Sequence, residues 1–200
     1  MPDGADYIAA MAVTSDAPIA PGERWATDAA AGAGAPHALD LREVSVDGNG
    51  APERILLVAS PGGHLMQMLA LRPAWEDLEH RWVTLAAADS KFLLDPADVD
   101  FAHGPTPRNI PNFFRNLRLA WTTVRRYKPD VILSTGAGLA VPFFVIGRLC
   151  GVRLVYVESF TRVNRPALTG RMVYPLAHVF FVQWPTSSRR KRAVYVGSVV

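Results

Sequence analysis

Three short runs in this 200-residue chain carry residue types able to do chemistry, and each follows an apolar stretch. The first is Gly62-Gly63-His64, reached from residues 55–60. The second is Ser134-Thr135-Gly136-Ala137-Gly138, after the apolar residues 131–133. The third is Glu158, followed by Arg162, Arg165 and Arg171. Gly-rich turns that open helices offer unpaired N–H groups and the positive end of the helix dipole to phosphate. Histidine and carboxylate are ordinary general bases for a substrate hydroxyl, and guanidinium forks match phosphate oxygens. Each group also has a plainer use: glycines for a tight turn, a histidine as a helix cap, Glu158 in an ion pair with Arg162 or Arg165. Neither turn has the GxGxxG or P-loop spacing, so dinucleotide or ATP binding of those kinds is unsupported.

The elements around these runs must bring them together. From residue 54 the pattern alternates: a strand into the PGGH turn, a helix over 65–78, a strand over 80–88 and a weaker strand over 98–103. Residues 112–127 read as the clearest helix. Phe113, Leu117, Trp121 and Val124 share one face, and Arg115, Arg118, Thr122, Arg125 and Arg126 the other. A strand from 131, a helix over 139–149, a strand from 153, a loop with a short helix, and strands near 178–184 and 192–200 complete it. Short apolar strands alternating with helices predict a parallel sheet buried on both faces, with right-handed crossovers. The expected fold is a single α/β domain over 53–200, a Rossmann-like parallel sheet with helices on both faces. In such a sheet the carboxyl ends share one edge, so the two Gly-rich turns and the loop after Glu158 should line one crevice.

Charge is unevenly spread. Residues 1–50 carry net −6 and residues 51–200 net +9, and only Asp130 and Glu158 are acidic after residue 100. A surface that basic attracts phosphate on lipid headgroups, nucleic acid or a diphosphate-linked substrate. Arg189, Arg190, Lys191 and Arg192 form a basic cluster, but no aromatic-interleaved basic strand supports nucleic-acid binding. Of the first 52 residues, 31 are Ala, Gly, Pro or Asp, the composition of a disordered leader. There is no secretory signal pattern, and Cys150 has no partner cysteine, which fits a reducing compartment. The longest uncharged stretches have seventeen residues and contain proline, short of the roughly 20 apolar residues of a spanning helix. No metal site is expected.

The chain resembles the Alg14 family of oligosaccharide biosynthesis proteins, particularly its bacterial exopolysaccharide members of the PssD type. The residues that carry the resemblance are the strand and GGH at 55–64, KPDVILSTGAGLAVPF at 128–143 and YVESFTRV at 156–163, with LTGRMVYPLAHVFFVQWP at 168–185 and YVGS at 195–198. Together they cover about residues 54–200. The resemblance implies the acceptor-side half of a MurG-like GT-B glycosyltransferase, with donor binding in a separate Alg13-like (PssE-type) chain, and with Val200 just after the last strand no second such domain is expected here. It implies transfer, with inversion, from a UDP-sugar to a polyprenyl-diphosphate-linked saccharide, N-acetylglucosamine and glucuronic acid being the favoured sugars, and no cofactor beyond the donor substrate. The work would be done at the cytoplasmic face of the plasma membrane, with peripheral attachment. By position His64 would sit beside the acceptor hydroxyl and Glu158 would be a second base or an orienting partner. Gly62, Gly63, Ser134, Thr135, Gly136, Gly138, Arg162, Arg165 and Arg171 would hold the acceptor diphosphate. Arg171 stands where the bacterial pattern more often has lysine.

Two other readings compete. The chain could be a non-catalytic membrane scaffold that only recruits its donor-binding partner. A nucleotide-dependent oxidoreductase is weakened by the missing GxGxxG and by the lack of a ribose-binding acid among Glu76, Asp77, Glu79 and Asp89.

Overall fold

Strands that must be buried on both faces need apolar residues at successive positions, and Ile55, Leu56, Leu57 and Val58 of the first strand are all fully buried. The computed structural model of the protein describes residues 52–106, 108–163, 166–184 and 193–195. Residues 1–51, Pro107, Arg165, the 189–192 cluster and the closing 196–198 lie outside them. Strands β1 (Arg54–Val58), β2 (Glu79–Leu85), β3 (Val99–Ala102), β4 (Val131–Ser134), β5 (Arg153–Val157), β6 (Val179–Val182) and β7 (Ala193–Tyr195) form one sheet. Its order is β3-β2-β1-β4-β5-β6-β7, every neighbour parallel. The helices are α1 (Gly63–Ala70), α2 (Ala88–Leu93), α3 (Ile110–Tyr127), α4 (Ala140–Leu149) and α5 (Leu168–Val173).

Alternate residues of each strand feed two cores. Ile55, Leu57, Leu133 and Val155 pack with Leu65 and Met68 of α1 and with Trp75 and Trp82. Leu56, Val58, Ile132 and Leu154 pack with Ala120 and Val124 of α3, Phe143 and Phe144 of α4 and Val173 of α5. Helices therefore cover both faces, giving the Rossmann-like doubly covered sheet that the alternation predicts. Helix α4 lies close: a Cβ at Gly147 would stand 2.6 Å from Ile132 and 2.7 Å from Leu154.

Two expectations are corrected. The helix expected over 65–78 stops at Ala70, because Pro73 lacks an N–H and its ring clashes with the preceding turn. A 3-10 turn, Arg72–Ala74, replaces its continuation, and the Trp75 indole donates to the Met68 carbonyl at 3.1 Å. In α3, Trp121 is not on the buried face but 44% exposed, with the Arg125 guanidinium 4.8 Å from its ring centroid. The inward face instead carries Asn112, Asn116 and Thr123 beside Ala120 and Val124. These polar residues are buried because each is used. Asn116 accepts from His103 N–H at 2.8 Å and donates to His103 O at 2.9 Å, and Asn112 donates to Pro105 O at 3.0 Å. Thr123 donates to Asp100, which also receives Arg81 and Arg126. Partial burial pushes the Asp100 carboxyl up, but those hydrogen bonds outweigh it and hold it at about 2.

Candidate functional site at the sheet switch point

From β1 the chain proceeds outward through β2 to β3, while β4 lies on the other side of β1. The crevice between the carboxyl ends of β1 and β4 is thus the topological switch point, where open α/β sheets take ligands. Val58 pairs with Ser134, and Ser134 with Tyr156, so these residues stand level at its floor.

The two Gly-rich turns close over that floor and grip each other. His64 Nδ1 lies 2.8 Å from the Thr135 carbonyl oxygen, and the Thr135 hydroxyl donates to the His64 carbonyl at 2.7 Å. A carbonyl oxygen only accepts, so Nδ1 carries the hydrogen and Nε2 keeps its lone pair in the neutral ring. Burial pushes the His64 pKa below its ordinary value; the bond to Thr135 opposes this and the Arg162 charge adds to it. The outcome is a neutral imidazole with one nitrogen fixed and the other available as a base.

Gly136 is what lets the ring sit there. Its φ is +125°, and a Cβ on it would lie 2.7 Å from His64 Cε1 and 3.0 Å from Nδ1. Ser134 is buried and its hydroxyl accepts from the Gly136 N–H at 3.2 Å. At Gly138 a Cβ would meet Thr106 only at 3.6 Å, an ordinary contact. Gly62, at φ +79°, is the N-cap of α1, and its N–H donates to Asp89 at 2.6 Å. An acid that sequence reading set aside thus takes one of the amides expected to face a diphosphate. Gly63 begins the helix, where first-turn N–H groups lack intrahelical acceptors.

Glu158 comes to the same edge in a different role. It is 1% exposed; Oε1 accepts from Ser159 N–H and Oε2 from Ala167 N–H, both at 3.1 Å. A Cβ at Gly170 would overlap Oε2. The buried carboxylate therefore holds the backbone N–H groups of Ser159, next to it in sequence, and of Ala167, at the start of α5. Its carbonyl receives the buried amides of Gln67 at 3.1 Å and Gln183 at 2.9 Å, tying α1, β5 and the end of β6 together. Arg162 is exposed in that loop, near enough for its charge to act on His64. Arg171 is exposed on α5.

The turn after β4 and the loop after β5 both fall in one recognisable stretch. Residues 104–199 match the family model described as "Oligosaccharide biosynthesis protein Alg14 like". The Alg14-like match runs from the end of β3 through Gly136, Glu158 and Gly170. Over 178 residues the chain is 29% identical to the human protein named UDP-N-acetylglucosamine transferase subunit ALG14, covering 73% of this chain and 82% of that one. It is 43% identical over 77 residues to the Schizosaccharomyces pombe subunit of the same name, 36% of this chain and 37% of that. Among solved structures, MurG of Acinetobacter baumannii superposes with a TM-score of 0.60 at 16% identity, over 72% of this chain and 46% of that one. The Methanocaldococcus jannaschii UDP-GlcNAc 2-epimerase gives 0.59 at 12%, over 72% and 45%. The chain spans less than half the length of either structure, and the likeness to both is one of fold.

Proposed function

We propose that this chain is the acceptor-side subunit of a two-chain inverting glycosyltransferase. It would work with an Alg13-like donor-binding chain to move N-acetylglucosamine from its UDP-sugar onto a polyprenyl-diphosphate-linked saccharide. The product would be an oligosaccharide or, following the PssD-like motifs, an exopolysaccharide precursor. One observation carries the reading: a neutral histidine fixed through Nδ1 at the sheet switch point, between two Gly-rich turns. The Alg14-like match and the names of the eukaryotic relatives support the reaction class.

In the proposed step an acceptor hydroxyl lies at His64 Nε2. Its oxygen attacks the anomeric carbon as the bond from that carbon to the UDP oxygen breaks. The proton passes to Nε2 and UDP leaves with the bonding pair. Thr135 holds the ring in the required tautomer, and Arg162 adds positive charge on the side where phosphates would lie. Glu158 acts on the loop, not on substrate. The exposed apolar residues of α3, flanked by arginines, suit peripheral attachment to an anionic membrane at its cytoplasmic face, where a lipid-linked acceptor would be met.

Reconstitution tests the reading. The chain co-purified with an Alg13-like protein should transfer from UDP-N-acetylglucosamine to a polyprenyl-diphosphate saccharide only when both chains are present. His64→Ala should lower turnover by roughly a hundred- to ten-thousandfold with the complex intact. Full turnover by that variant would leave the chain as a recruiting scaffold, and no transfer from any UDP-sugar would end the reading.

A further inference from the structure

Tyr156 carries one of several buried side-chain polar atoms that have no hydrogen-bond partner among the described residues, with Ser60, Gln67 and Thr84, and it is the one that reaches the seam between the two Gly-rich turns. It is 0% exposed, its ring stacks on Phe180 at 4.9 Å and meets Phe144 edge-on at 5.9 Å, yet among the described residues its hydroxyl has no hydrogen-bond partner. A phenylalanine would fill the same space without that cost, since a buried hydroxyl without a partner is destabilising. The position of the hydroxyl is equally specific. It lies 3.3 Å from where a Cβ on Gly136 would be, the same small volume approached by His64 Cε1 and Nδ1. Level with Ser134 on the neighbouring strand, the tyrosine sends its one polar atom to the seam between the two Gly-rich turns.

That seam is conformationally special. Gly136 and Ala137 both have positive φ, +125° and +67°, and left-handed alanine is costly enough to need a reason. The turn runs beside a hydroxyl that burial, reinforced by the Glu158 charge and opposed by Arg162, keeps protonated. A phenol in that state donates a hydrogen bond and adds no negative charge, which suits an anionic oxygen.

We infer that Tyr156 is a positioning residue whose hydroxyl donates to a diphosphate oxygen seated against the Gly136 turn, beside His64. The inference rests on the glycosyl-transfer reading, which supplies two diphosphates, one on the nucleotide sugar and one on the lipid acceptor. The stability cost of the hydroxyl is then borne in the empty protein and recovered on binding.

Tyr156→Phe in the full chain, measured alone and bound to the donor-side partner, separates the possibilities. The ring and its stacking are retained, so the melting temperature should stay at or above that of the parent. Affinity for inorganic pyrophosphate, UDP or farnesyl diphosphate should fall roughly ten- to a hundredfold, the worth of a hydrogen bond to a charged oxygen. Weakening of UDP alone would assign the oxygen to the nucleotide, and of farnesyl diphosphate alone to the acceptor. A lowered melting temperature would show that the hydroxyl already has a partner, such as an enclosed water, and would overturn the inference. So would unchanged affinity for all three probes, with the glycosyl-transfer reading left standing. If the parent chain and its complex bound none of them, both would fall.

Discussion

His64 and Thr135, 71 residues apart in sequence, each bond to the other's backbone carbonyl, at 2.8 and 2.7 Å. This reciprocal pair joins the turns after β1 and β4 into one rigid edge. Thr135→Val keeps the shape and removes only the hydroxyl, leaving the His64 carbonyl without that donor. The expected cost is about 1–2 kcal/mol in denaturant unfolding. Turnover should drop less than in His64→Ala, because the Nδ1 bond to the residue 135 carbonyl survives. Unaltered stability would mean that the hydroxyl contributes nothing to holding the turns.

The depressed pKa of His64 has a definite sign in both stability and rate. The folded ring resists a proton that the unfolded chain takes up near pH 6.5. Stability should therefore be level above that pH, fall as the pH drops below it, and level again once the folded ring is also charged. His64→Gln should lack this component, read as the difference between the two melting-temperature profiles. If the neutral ring is the base, the acid limb of turnover lies below pH 6.5. A limb centred at or above that value would contradict the burial argument.

Gly136 and Gly138, two residues apart in one turn, should respond unequally to alanine. At Gly136 the new Cβ would meet the imidazole at 2.7 Å, on a backbone at φ +125° that L residues rarely adopt. Gly136→Ala should destabilise by about 2 kcal/mol or more and cost most of the turnover, since the histidine must move. Gly138→Ala meets only Thr106 at 3.6 Å and should stay close to the parent in both measurements. Equal effects at the two positions would remove the steric account of the turn.

What could be read in advance follows from how local each signal is. Apolar runs ended by glycine identified β1 and β4, and alternation with helices gave a parallel sheet, because both patterns lie within a few neighbouring residues. Periodicity counts Trp121 as core, whereas α3 buries Asn112, Asn116 and Thr123, whose partners lie outside the helix. The Asp89 hold on Gly62 and the approach of Tyr156 to Gly136 join segments far apart in the chain, and no spacing rule reaches them. Glu158 stands out in the sequence because acids are scarce in that half. Its hydrogen bonds with the amides of Ser159 and Ala167 depend on the fold rather than on any local pattern.

Glu158 and Gly170 should behave as one unit. Gly170→Ala alone would drive a methyl into a buried carboxylate, at an expected cost of about 2 kcal/mol or more. Glu158→Ala alone strips the acceptor from two backbone amides, for about 1–3 kcal/mol. The double variant removes the overlap, so its cost should fall below the sum of the two by at least about 1 kcal/mol. Strict additivity in urea unfolding would show that the loop adjusts independently of the helix.

The outward side of α3 makes the last prediction. Ile110, Phe114 and Trp121 are 70%, 61% and 44% exposed, and their spacing of four and seven residues places them along one stripe. Arg115, Arg118 and Arg125 are exposed beside it, whereas Arg126 is committed to Asp100. An apolar stripe edged by basic side chains enters a bilayer interface, with each arginine adding about 1 kcal/mol against anionic lipid. The chain should therefore sediment with phosphatidylglycerol vesicles more than with phosphatidylcholine vesicles, and high salt should reduce the difference by screening. Serine at Ile110, Phe114 and Trp121 together should abolish most binding to either lipid. Glutamine at Arg115, Arg118 and Arg125 should remove mainly the preference for anionic lipid. Both sets lie on the surface and should leave the melting temperature nearly unchanged, so lost vesicle binding cannot be put down to unfolding. Vesicle binding indifferent to both sets would place the membrane contact elsewhere on the chain or on its partner.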